Sequence, residues 1–168
     1  RLVEIEGDEA DQGATEARVT AAIRDLNVDP HVAGIIVQMP LPPSVRLRAV
    51  IDAIDPAKDI DGIHPMNAGL LRLGFGGFLP ATAHAAVEML LRHDIPIAGR
   101  EAVVIGRSNV VGMPVAFMLV RHDATVTVCH SKTRDLAAHV ARAEILIVAA
   151  GNPGLITGAM LRPGAVVV

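Results

Sequence analysis

The sequence predicts an α/β fold in two lobes, the second built on a parallel sheet. From Arg100 onward, short aliphatic runs alternate with amphipathic helical stretches, whereas the residues before that point form fewer elements around a long polar loop. Parallel neighbours need a crossover between them, so this alternation means a sheet wrapped by helices. A glycine-rich connection, GFGGFLP, lies between the two regions.

Taken in chain order, residues 14–27 (ATEARVTAAIRDLN) place Val19, Ala22, Ile23 and Leu26 at helical spacing with charges on the other side, which is an amphipathic helix. GIIVQMP, residues 34–40, is a short apolar run closed by proline and reads as a buried strand. VRLRAVIDAI then sets Leu47, Val50, Ile51 and Ile54 on one helical face. DPAKDIDGIHPMNAG, residues 55–69, reads as a long polar loop, and loops of that length inside compact domains are usually functional or disordered. Thr82 is the expected N-cap of a helix over 83–94. The second region then reads strand EAVVIG, helix PVAFMLVRHD, strand ATVTVCH, helix RDLAAHVARA, strand EILIVAAG, a short helix near Thr157 to Leu161, and strand AVVV. This divides the chain into a smaller α/β lobe over 1–82, a connecting helix over 83–94, and a Rossmann-like domain over 95–168.

Composition narrows the function. The chain has 168 residues, 51% of them apolar, which is ample for a buried core. A net charge of -3 without a basic run argues against a nucleic-acid or anionic-membrane surface and favours small ligands. The single cysteine, Cys129, excludes an intrachain disulfide and fits the reducing cytoplasm; it reads as a buried strand residue rather than a nucleophile. No apolar stretch reaches the ~18 residues of a membrane span, and the start, RLVEIEGDEADQG, is too acidic for a signal peptide. With no initiator methionine and a last run, GAVVV, that stops inside a strand pattern, the expectation is a piece cut from a longer protein. His84, His93 and His139 lie on helices without metal-ligand partners, so no metal is expected.

The stretch AVVIGRSNVVGMPVAF, residues 102–117, carries the clearest chemistry. Gly106 and Gly112 let the backbone turn and approach a ligand closely, Ser108 lies between them, and Pro114 suits a first helical turn. Backbone N–H groups at the following helix N-terminus favour a diphosphate. Alone, this spacing also suits a structural turn. The end of the next strand normally carries an acid for an adenosine ribose 2′-OH, yet ATVTVCHSKTR has none. His130, Ser131, Lys132 and Arg134 gather there, with Arg107 in the first loop. Donors and positive charge suit a 2′-phosphate, so the site favours NADP over NAD. The plainer alternative is a solvated basic turn in which Ser131 or Thr133 caps a helix, with Asp135 an acid at that helix N-terminus.

Together IIVQMPLP, KDIDGIHPMNAG, VVIGRSNVVGMP, TVCHSKT and ILIVAAGNPG resemble the bifunctional methylenetetrahydrofolate dehydrogenase/cyclohydrolase family, in matching order and spacing from end to end. The resemblance implies oxidation of 5,10-methylene-tetrahydrofolate by NADP and hydrolysis of the methenyl product to 10-formyl-tetrahydrofolate. It also implies a homodimer with folate between two lobes. On the matching positions, Gln38 corresponds to the glutamine beside the catalytic centre and Asp61 to the acid that holds the pterin, while Arg107 and Ser131 correspond to the positions receiving the 2′-phosphate. A carboxylate can accept two hydrogen bonds from an aminopyrimidine edge, which suits Asp61 to that task. In isolation, Asp61-Gly62 is also an ordinary turn signal, Gln38 could satisfy backbone at a strand end, and turn-forming roles are the default for His64 and Asn67.

The chain departs from the family pattern in places. The family's central lysine, preceded by a tyrosine, belongs to a helix ahead of the first motif; this sequence has no tyrosine, and its only lysines, Lys58 and Lys132, belong to other motifs. The 168 residues as written are therefore expected to show little or no cyclohydrolase activity. FLPATAHA stands where the family has Pro-Cys-Thr-Pro, so Ala81 and Ala83 are expected to loosen the helix start. Two other readings compete: a different NADP dehydrogenase of shikimate-dehydrogenase type, which the KDIDG and VQMPLP pair argues against, and a non-catalytic NADP-binding module.

Overall fold

The structure, a computed structural model, describes residues 2–6 and 12–168. The stretch over 7–11, part of the start read above as too acidic for a signal peptide, lies outside the described residues. In chain order the elements are α1 (Gln12–Val28), α2 (Leu47–Ala53), α3 (Pro65–Leu73), α4 (Ala81–Arg92), β1 (Glu101–Ile105), α5 (Gly112–Arg121), β2 (Thr125–Cys129), α6 (Leu136–Arg142), β3 (Ile145–Val148), a single 3-10 turn (Gly158–Met160) and β4 (Val166–Val167).

The strands form one parallel sheet in the order β2-β1-β3-β4. The continuous aliphatic character of β1 and β3 follows from burial on both faces, while β2, at the edge, is only partly buried. Ala102, Val104, Ile145 and Ile147 pack with α4 and α5 through Val87, Leu90, Val115 and Leu119, while Val103, Ile105 and Leu146 face α6 through Val140. The crossover through α5 thus covers one face and that through α6 the other, with β2 and β3 on opposite sides of β1. In open α/β sheets a ligand crevice opens at the carboxyl ends of strands at such a reversal.

The first lobe has its own core of Ile23, Ile35, Val45, Val50 and Ile54 under α1 and α2. Lys58 closes the end of α1, its Nζ donating to the carbonyls of Leu26 (2.9 Å) and Asp29 (2.7 Å). Cationic donors suit the unpaired carbonyls of a helix C-terminus. Asn27 ties α1 to α2 by donating to Ala53 O at 2.7 Å and accepting from Asp55 N at 3.0 Å.

Several expectations need correction. Residues 34–40 form no strand: one parallel bridge joins Ile35 to Asp59, and Ile36 is 62% exposed. A ladder needs a partner along its length, and among the described residues none runs beside this segment. Leu47 opens α2 exposed rather than buried, while Val50 and Ile54 fill the core as expected. The polar loop ends at His64, because Pro65 starts a helix with its fixed φ and His64 accepts the N–H of Met66 at 3.1 Å. Thr82 is not a cap: Pro80 is the cap residue, and its carbonyl takes the N–H of His84 at 2.8 Å, so the first turn is already closed around Thr82. The helix begins at Ala81 without a side-chain cap, and Ala83 is fully buried. Cys129 is buried as expected, and burial pushes its thiol above the usual range.

Candidate functional site

The turn after β1 is built from backbone touching backbone. Gly106 has φ +116, a region that favours glycine, and a Cβ there would stand 2.9 Å from the Ala149 carbonyl carbon. A Cβ on Gly112 would stand 2.6 Å from the Gly106 carbonyl carbon. The Ser108 hydroxyl accepts from Val111 N (3.1 Å) and Gly112 N (3.3 Å), and its carbonyl accepts from Met113 N (3.0 Å), so Ser108 caps α5. Its own O–H remains a donor. The two glycines let the turn pack backbone on backbone, against Ala149 and against itself.

The sheet register brings the second motif beside the first. Ile105 is paired with Cys129, so Arg107 and Ser131 each lie two residues past the last pair on strands about 4.8 Å apart. Gly106 N donates to Cys129 O at 2.8 Å, extending the pairing into the turn. The loop after β2 is shaped by its own side chains: Thr133 Oγ1 accepts from His130 N (2.8 Å), and His130 Nδ1 accepts from Lys132 N (3.1 Å). Asp135 caps α6, accepting from Ala138 N at 3.2 Å, as its place at the helix N-terminus predicts. Arg107, Ser131, Lys132 and Arg134 are exposed, and none of the three cations is in an ion pair among the described residues. Positive charge here is uncompensated.

In the first lobe, Gln38 is exposed, donates to Met39 O at 3.0 Å, and lines a cavity of about 700 Å³ between α1 and residues 33–38. Ile60 lines that cavity and Asp61 does not, so the two proposed substrate-facing residues do not meet in it. Asp61 is half-buried, and burial, with the charge of Asp59 second, pushes its carboxyl above the ordinary range. Asp59, 1% exposed, accepts from Ile63 N (3.2 Å), His64 N (2.8 Å) and Asn67 Nδ2 (2.8 Å). Asn67 is thus a buried helical residue and not a turn former. Sequence reasoning missed Asp59, since a donor and acceptor eight residues apart across a turn follow no helical or strand period.

These motifs coincide with two family models: "Tetrahydrofolate dehydrogenase/cyclohydrolase, catalytic domain" matches residues 3–61, and the NAD(P)-binding domain of the same family matches residues 80–168. The chain belongs to the tetrahydrofolate dehydrogenase/cyclohydrolase family. It is 51% identical over 154 residues to the bifunctional protein FolD of Heliobacterium modesticaldum, covering 92% of this chain and 54% of that relative. FolD of Azoarcus sp. is 51% identical over 157 residues, 94% of this chain and 54% of the relative. The chain spans about half the length of the curated relatives it matches. Among solved structures, the FolD dehydrogenase/cyclohydrolase of Campylobacter jejuni superposes with a TM-score of 0.90 at 42% identity, over 93% of this chain and 56% of that one. The Trypanosoma brucei enzyme, solved with NADP cofactor and inhibitor, gives 0.88 at 38% identity, over 93% and 54%. Within this family pattern Lys58 is a helix cap, its ammonium bonded to two carbonyls. No helix among the described residues is long and apolar enough to cross a membrane.

Proposed function

We propose that this chain belongs to an enzyme that oxidises 5,10-methylene-tetrahydrofolate with NADP and hydrolyses the methenyl product to 10-formyl-tetrahydrofolate. The observation that supports this reading is the register of β1 and β2, which ends both strands level so that Arg107 and Ser131 each follow two residues later, with no acid over 130–134. Arg107 supplies charge and a planar set of donors to a 2′-phosphate, and the hydroxyl of Ser131 adds another. Gly106 and Gly112 let the turn close tightly so that its backbone can face the diphosphate, and Ser108 donates its free O–H there. NADP, when bound, supplies the hydride acceptor.

Asp61 holds the substrate through the aminopyrimidine edge of the pterin, accepting two hydrogen bonds that fix which ring face is offered. Its partial burial supports this role, because a half-desolvated carboxylate gains more from incoming donors than a hydrated one. Gln38 contacts the reacting end of the substrate and donates a hydrogen bond there; having no titratable proton, it orients rather than relays. The division into a substrate lobe over 1–82, a connecting helix over 83–94 and a cofactor domain over 95–168 is part of the same reading. A homodimer in the reducing cytoplasm completes it; the dimer is supported by the outer edge of β2, which is unpaired among the described residues.

Substrate exchange tests the reading. With NADP present, 5,10-methylene-tetrahydrofolate gives substrate-dependent NADPH absorbance in the full-length protein and shikimate gives none. Reduction driven by shikimate instead would assign the chain to another dehydrogenase class.

A further inference from the structure

The side chain of Asn67 is built into the loop that carries Asp61. Its Nδ2 donates to Pro56 O at 3.0 Å and to Asp59 Oδ2 at 2.8 Å, and the residue is 3% exposed. An amide nitrogen has two hydrogens, so both are spent on the incoming arm of that loop. The other partners of Asp59 are the N–H groups of Ile63 and His64, on the outgoing arm. Residues 56 to 64 are therefore tied together through one amide and one carboxylate, with Asp61 between the two arms. The turn is also covered: a Cβ on Gly62 would stand 2.7 Å from Phe78 O, and one on Gly77 would stand 3.3 Å from Asn67 Oδ1. Asn67 itself sits on α3, a rigid support whose Leu71 shares a core with Val115 and Leu119 of α5.

Resting on the reading of Asp61 as the pterin-holding acid, we propose that Asn67 is a positioning residue for the substrate: by fastening Pro56 and Asp59 it holds Asp61 in the geometry that accepts both donors of an aminopyrimidine edge. A two-point contact tolerates little displacement, and a misplacement of about 1 Å can cost on the order of 10²-fold. The donors around Asp59 are two backbone N–H groups and one amide, all neutral. Without Asn67 the buried carboxylate loses the one side-chain donor it has among the described residues, and Pro56 O loses its bond to α3, while Lys58 still anchors the arm to α1.

The test uses the full-length protein, tetrahydrofolate as the probe, and a temperature well below each variant's melting point. Asn67→Ala is expected to weaken tetrahydrofolate roughly tenfold or more while NADP affinity stays within about twofold. Asn67→Ser keeps one donor, so its loss is intermediate, about threefold, and it carries the test if the alanine variant does not fold. A lowered melting point with unchanged tetrahydrofolate affinity would make Asn67 an ordinary core residue and overturn the proposal, as would an equal loss for both ligands. Asp61→Ala separates the two claims. If it retains tetrahydrofolate, the reading of Asp61 falls and this proposal with it; if it loses tetrahydrofolate while folded Asn67 variants do not, only this proposal falls.

Discussion

Gly112 lies against the backbone of Gly106 across the turn that follows β1: a Cβ on Gly112 would stand 2.6 Å from the Gly106 carbonyl carbon and 3.0 Å from Arg107 N. Backbone at that distance cannot swing aside as a flexible side chain can. Gly112→Ala is expected to lose about 1–3 kcal/mol of stability through overpacking and to weaken NADP by shifting the cradle. Gly69 in α3 is the contrast, since a Cβ there meets nothing within 4 Å. Gly69→Ala should stabilise the protein by roughly 0.5–1 kcal/mol. Chemical denaturation of both variants checks the pair; a neutral Gly112→Ala would contradict the packing argument.

His130 sets the turn that presents Ser131. Its Nδ1 accepts from Lys132 N at 3.1 Å, so the ring hydrogen is on Nε2. Asparagine offers its side-chain oxygen to the N–H two residues on in the same way. His130→Asn is therefore expected to keep the preference for NADP over NAD, and His130→Ala to reduce it about 3- to 10-fold. Titrating both cofactors measures the ratio. An unchanged ratio in the alanine variant would leave His130 no part in the site.

Asp61 links binding to pH. Burial first, and Asp59 second, raise its folded-state pKa above the ordinary 3.8. The folded chain then holds that proton more tightly than the unfolded chain, so ionised Asp61 lowers stability as pH rises through the folded pKa. Asp61→Asn should accordingly stabilise the free protein near neutral pH while impairing tetrahydrofolate binding. In the wild type, affinity should fall as pH drops through the raised pKa, and the Asp61→Asn variant should lack that fall. Calorimetric titrations across the acid range compare the two; identical profiles would contradict the role.

Glu16 joins α1 to the start of α2 through Arg46, accepting from its guanidinium and from its backbone N at 2.8 Å. The Arg46 side chain, then its backbone N–H, hold the Glu16 carboxyl at about 2, below its ordinary 4.5. A depressed carboxylate contributes stability that is complete above its unfolded value and is lost as pH falls through the folded one. Glu16→Gln should thus be less stable than wild type at neutral pH, with the gap closing as pH falls below 4.5 toward about 2. Thermal melts across that range read the gap, and a constant offset would deny the linkage.

The strands β1 and β3 were legible because their aliphatic runs are buried on both faces and bounded by polar turns, and β2 because its β-branched run, only partly buried, pairs with β1. GIIVQMP carries the same local signal, yet Ile36 and Gln38 are exposed, because pairing depends on a neighbour that no local pattern encodes. Gly106 and Gly112 were legible as a turn, whereas their mutual contact was not: spacing gives permission to bend and says nothing of what is approached. Asp61 stood out through the resemblance of its turn, KDIDG, to the family motif. Asp59 and Asn67, which hold that turn, did not, since their bond joins a loop to a helix across Pro65.

The most direct test follows NADP reduction by 5,10-methylene-tetrahydrofolate in full-length wild type, Asp61→Ala and Arg107→Ala. Charge-assisted hydrogen bonds contribute about 1.5–3 kcal/mol, so Arg107→Ala is expected to weaken NADP roughly 10- to 150-fold and to spare both NAD and the folate KM. Asp61→Ala should raise the folate KM or abolish turnover while NADP affinity stays near wild type. Equal losses for NADP and NAD in Arg107→Ala, or normal folate kinetics in Asp61→Ala, would contradict the assignment of the 2′-phosphate to the ends of β1 and β2 and of the pterin to the loop between Pro56 and His64.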